Sequence, residues 1–140
     1  MVPVSTLGVE SPVMTENSPD AELRLPADSA YLAVLRTATA GLAARINFTL
    51  DDIEDLRIAV DEACAILLPQ AQPQSELDCR FWLGQATMTV AVGASCENPQ
   101  PPAEQGFAWR VLSALTTFVN SEVQNDRLVL TLSRSAGRHP

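Results

Sequence analysis

The chain contains no lysine, a single histidine at position 139 and only three cysteines among 140 residues, and no apolar run approaches the roughly 18 residues of a membrane span. Without lysine nothing can clamp a nucleotide phosphate as a P-loop does, and no GxxxxGK[ST] occurs either. All nine basic residues are arginine against 17 acids, a usage that hints at a GC-rich genome. The net charge of −8 repels phosphate backbones and leaves no basic stripe, so direct nucleic-acid binding is not expected. An acidic surface suits a basic partner, although it also serves solubility. Cys64, Cys79 and Cys96 form no CxxC pair, which argues against structural zinc or any other metal site. Cys64 and Cys79 read as small buried hydrophobes, whereas Cys96, in a proline-rich loop, is the candidate redox thiol. The first twenty residues hold Pro3, Pro12 and Pro19 and no basic apolar leader, so they read as a flexible arm, and the cytoplasm is the expected compartment.

What is present is enough for one core: 46% apolar and 19% charged residues in 140 imply one globular domain. The expected division is an arm over 1–20, a domain over 21–134 and a loose tail over 135–140. Ala21 to Leu25 reads as a strand entering through Pro26. Asp28 or Ser29 caps a helix carrying Leu32, Leu35, Ala38, Leu42 and Ile46 and running to about Arg45. Thr49 and Asp52 form a capping box, with Phe48 and Ile53 as a staple, and Pro69 ends that second helix. Strands over 76–83 and 86–92 make a hairpin across Gly84-Gln85. Glu97 to Gln105, with Pro99, Pro101 and Pro102, is an irregular crossover. A third helix starts near Gly106 with Phe107, Val111, Leu112, Ala114, Leu115 and Phe118 on its apolar face. Strands over 119–123 and 127–132 follow around Asn125-Asp126. This order predicts an α+β two-layer sandwich, three helices on one face of a mostly antiparallel sheet.

The second helix is apolar on two sides. Ile53, Leu56, Val60, Ala63, Cys64 and Leu67 form the ordinary core stripe. Roughly opposite lie Ile58, Glu62 and Ile66, an i, i+4, i+8 row that a surface helix would fill with charged residues. Something must cover that row, which marks a site or an interface.

Over residues 21–134 the sequence resembles the GHKL ATPases, and within them the anti-sigma factor serine kinases of the RsbW type. Arg57-Ile58-Ala59-Val60-Asp61-Glu62-Ala63 is similar to the family's N-box helix, roughly (I/L)-x-x-A-V-x-E-A-x-x-N-A. The resemblance implies a histidine-kinase-like (Bergerat) fold, with Glu62 as the base toward a partner's serine and the residue four later holding the nucleotide's magnesium. That residue is Ile66, which offers no lone pair. The family's Asp-x-Gly-x-Gly is replaced by Val92-Gly93-Ala94-Ser95-Cys96-Glu97, and the long lid is cut to about a dozen residues between Gly93 and Gly106. Gly-x-Gly-(F/L) is reduced to Gln105-Gly106-Phe107. Ile66, Gly93, Gly106 and Phe107 therefore mark a degenerate nucleotide site.

Divergent anti-sigma factors of high-GC Gram-positive bacteria are similar in these same places, with a DE-x-C helix, a short proline-containing lid and a (G/S)-F-x-W start to the third helix. The resemblance thus implies an anti-sigma factor that sequesters a stress- or sporulation-type sigma factor and yields it to a STAS-domain anti-anti-sigma partner, with no cofactor required. Homodimerisation, as in many members, is left open. Arg36 resembles the first-helix arginine of the shared partner surface, its alternative being a solvated charge. Trp109 is a second partner-binding candidate, or packs under the Pro99 to Pro102 loop. Two other readings stand beside this one: a kinase using Glu62 with ATP and Mg2+, and a GHKL-derived module with an unrelated partner.

Overall fold

A computed structural model of the chain describes residues 17–137. The elements run β1 (Ala21–Pro26), α1 (Leu32–Ala43), α2 (Leu50–Leu67), β2 (Glu76–Leu83), β3 (Thr87–Ser95), α3 (Phe107–Leu115), β4 (Phe118–Gln124) and β5 (Arg127–Ser135). The strands form one antiparallel sheet in the order β1-β2-β3-β5-β4, and the helices pack against it, giving the α+β sandwich read from the sequence. Among the described residues no helix is long and apolar enough to cross a membrane.

Local chemistry sets the helix starts. Asp28 accepts from the Ala30 N–H at 2.9 Å and opens a short 3-10 turn that leads into α1. At α2 the capping box is complete: Thr49 Oγ1 accepts from the Asp52 N–H at 3.1 Å, and Asp52 Oδ2 accepts from the Thr49 N–H at 3.2 Å. Pro69 ends α2 in a 3-10 turn, and Asn125 turns β4 into β5 at φ 58°, the left-handed conformation Asn tolerates. The α2 stripe of Leu56, Ala59, Val60, Ala63, Cys64 and Leu67 is fully buried with Leu77, Phe81, Val90, Val92, Leu130 and Leu132 from the sheet. Full burial of each large aliphatic side chain contributes about 1.5–3 kcal/mol.

Three boundaries differ from expectation. β3 continues past Val92 to Ser95 and β5 past Leu132 to Ser135, because each is paired on both sides and the ladder extends wherever a neighbour exists. Two residues of the tail expected to be loose from Ser135 are held: Ser135 pairs with Thr87, and Ala136 N–H donates to Ala86 O at 2.7 Å. At the other end Trp82 Nε1 donates to Asn17 O at 3.0 Å and the Asp20 N–H to Phe81 O at 2.7 Å. The rest of the expected arm (1–16) and tail (138–140, including His139) lies outside the described residues. The apolar face read for α3 is also narrower. Only Leu112 is buried, Phe107 is 76% exposed and Phe118 opens β4, since periodicity names a helix face without supplying a neighbour to cover it.

Candidate functional site

On the side of α2 away from its buried stripe, Ile58 is 42% exposed, Glu62 is half-buried and Ile66 is half-buried against the core. The apolar row inferred from the sequence thus reaches the surface at its N-terminal end. One residue before Glu62, Asp61 accepts from Arg36 Nε on both oxygens, at 2.8 and 3.0 Å. Arg36 is therefore anchored across the α1–α2 seam and is not a freely solvated charge. Its Nη1 and Nη2 have no hydrogen-bond partner among the described residues, leaving a two-nitrogen fork suited to a carboxylate. A shallow depression of about 390 Å³ lies beside it, lined by Arg36, Thr37, Ala40, Gly41 and Arg57. Arg57 is held by Glu54 at 2.9 Å. α2 packs against both α1 and α3, so Arg36 and the half-buried Trp109 belong to helices flanking it.

The four residues of the degenerate nucleotide motif are dispersed in role. Ile66 packs with the core cluster. Gly93 lies inside β3, between Asp78 and Val129, and a Cβ there would stand 2.6 Å from Arg127 Nη2. The room beside Gly93 is taken by Arg127. Gly106 is the N-cap of α3 without a side-chain cap, and Phe107 follows it into solvent.

The shortened lid region is fastened down by a residue the sequence reading passed over. Gln70 accepts from the Gln100 N–H at 2.7 Å and donates to Gln100 O and Ile66 O, each at 3.0 Å. The Gln72 N–H adds a bond to Ser95 O at 2.9 Å, beside a bridge between Ala71 and Cys96. Gln70 followed a proline and looked like loop composition, and no local signal announced a partner 30 residues away. A second missed feature lies at the start of α2, where Arg134 of β5 meets Asp52 at 2.9 Å and Asp55 at 2.9 Å.

The thiols are unsuited to chemistry. Burial pushes Cys64 and Cys79 up to about 12, with Cys79 and Asp61 adding to the effect at Cys64 and Arg36 opposing it. Cys96 was the redox candidate, and here the structure corrects the expectation. Its thiol is fully buried, burial raises its pKa, and Sγ donates to Ala94 O at 3.7 Å. Among the described residues no group of His, Cys, Asp and Glu side chains is arranged to hold a metal ion.

Known proteins match this sequence. The chain is 36% identical over 74 residues to the serine-protein kinase RsbW of Bacillus velezensis, an alignment covering 51% of this chain and 46% of that protein. It is 41% identical over 81 residues to the RsbW proteins of Bacillus cereus and Bacillus anthracis, covering 56% of this chain and 51% of each of them. The chain thus spans about half the length of the curated relatives it matches. The family model described as the histidine kinase-like ATPase domain matches residues 25–133, from β1 through β5. With the helices, the sheet order and the α2 motif all inside that match, the chain belongs to the histidine kinase-like ATPase domain family.

Proposed function

We propose that this domain is an anti-sigma module that seizes an alternative sigma factor, is relieved of it by a STAS-type anti-anti-sigma protein, and works without nucleotide. The observation that carries the reading is Ile66. At the position where working relatives of the resembled family place a magnesium-holding Asn, this helix puts an aliphatic side chain against the core, and a hard cation finds no oxygen there. The Gln70–Gln100 clasp over the shortened crossover adds support. A donor set without a side-chain oxygen at position 66 disfavours a magnesium nucleotide. Binding would fall to the surface of α1 and α2, where α1 offers the Arg36 fork and α2 exposes Ile58.

One observation favours a second reading, an ATP-dependent serine kinase: Glu62 stands half-exposed on α2 in a chain 36% identical over 74 residues to a protein named serine-protein kinase. Calorimetric titration with Mg-ATP and Mg-ADP separates the two. Absence of heat at millimolar nucleotide, with co-purification of one member of a panel of sigma factors from the same genome, supports the proposal. Micromolar nucleotide binding rejects it in favour of the kinase. Arg36→Glu should abolish sigma-factor recovery, and unchanged recovery would reject the assignment of that surface.

A further inference from the structure

The face of the sheet opposite the helices carries a second concentration of charge. Arg24 on β1, Arg80 on β2 and Arg127 on β5 line one cavity of about 340 Å³ together with Glu22, Asp78 and Gln124. Asp78 is its pivot. Arg24 Nε meets Oδ1 at 3.2 Å and Arg127 Nη2 meets Oδ2 at 3.0 Å, so one carboxylate orients two guanidinium groups from opposite sides. Arg127 reaches Asp78 only by crossing β3, and it crosses where β3 has Gly93. A methyl group there would lie 2.6 Å from Arg127 Nη2 and 3.1 Å from Val129 Cγ2. The glycine thus makes room for an arginine on the face away from α2.

Each arginine of the pair uses a single nitrogen on Asp78, so Nη1 and Nη2 of Arg24 and Nε and Nη1 of Arg127 keep their donors free among the described residues. Arg80 makes no hydrogen bond there and lies over the Trp82 ring at 5.9 Å from its centroid. Three of the nine arginines of a chain with net charge −8 converge here against two carboxylates, opposite in sign to the rest of the molecule. Guanidinium groups arriving from three strands in different directions suit a tetrahedral oxyanion better than a planar carboxylate, which one fork satisfies.

We propose that this cavity binds a small phosphate-class oxyanion, held by Arg24, Arg80 and Arg127 with Asp78 as the residue that positions two of them. The site lies on the opposite side of the sheet from the surface assigned to protein partners and does not depend on that assignment.

Trp82 provides the readout. In the full chain carrying Trp109→Phe, Trp82 is the only tryptophan, and its emission is followed while inorganic phosphate is added at ionic strength held constant with chloride. The expected result is a saturable change in the millimolar range or tighter that acetate does not reproduce. Arg127→Gln and, separately, Gly93→Ala, which displaces Arg127, should each weaken it at least tenfold, while the exposed Arg45→Gln leaves it unaltered. Circular dichroism confirms that each variant is folded, and Arg24→Gln replaces any that is not. A non-saturable response, saturation by acetate in place of phosphate, or binding that survives loss of Arg127 and Arg24 overturns the proposal.

Discussion

Replacing Arg134 by Met should destabilise the domain by about 3–5 kcal/mol, because it removes the guanidinium from a buried ion pair while the Asp52 carboxylate stays buried. Asp52 has no exposed surface, and Arg134 donates to its Oδ1 through Nε at 3.2 Å and Nη2 at 2.9 Å. Arg134 also bonds Leu115 O at 2.8 Å and Asp55 at 2.9 Å, so its loss strips partners from α2 and α3 together. Burial alone would raise the Asp52 pKa, but hydrogen bonds from Arg134, Thr49 and Gly137 outweigh it and hold it at about 2, below the ordinary 3.8. At 1.36 kcal/mol per unit this corresponds to about 2 kcal/mol favouring the folded state. The folded-state value is the lower one, so this contribution is complete above about pH 4–5 and is lost as pH falls through 4 toward 2. Acid removes only the charge, whereas the Met variant keeps the buried charge and takes away the Arg134 guanidinium, which is why the mutational effect is the larger. Urea unfolding at pH 7 should show a lower midpoint at unchanged m-value in Arg134→Met. A parallel series from pH 5 to 2.5 should show a shallower acid slope in Asp52→Asn than in the parent. A loss below 1 kcal/mol, or identical acid slopes, would refute the reasoning.

Three further outcomes follow from the geometry. Gln70→Ala removes three hydrogen bonds that tie the crossover to α2, so hydrogen exchange at the Gln100 amide should accelerate at least tenfold while the β3 amides keep their protection. Thr49→Ala breaks the capping box and should lower stability by about 0.5–2 kcal/mol in urea; a neutral effect would mean that Arg134 alone secures that helix end. With all three thiols buried and raised by burial, reaction with a disulfide reagent at pH 8 should proceed only at the rate of opening, and fast labelling of Cys96 would restore it as a redox candidate.

The candidate site was legible in part for a physical reason. Glu62, Ile58 and Ile66 share one helix face by spacing alone, and the exposure of Ile58 agrees with the uncovered row. Asp61 drew no attention because its partner Arg36 is 25 residues away on another helix. Cys96 sat among loop signals, yet pairing of its segment with Ala71 buries it.

Amphipathic spacing, proline and asparagine punctuation and the Thr49–Asp52 box were enough by themselves to determine the helices, the strands and the two-layer class, since these depend on neighbours within a few residues. Tertiary structure alone decided which charges meet: Arg134 with Asp52 across 82 positions, Arg127 with Asp78 across 49, Gln70 with Gln100 across 30. Those contacts depend on strand order and register, and only when β5 lies beside β3 does Arg127 arrive over Gly93.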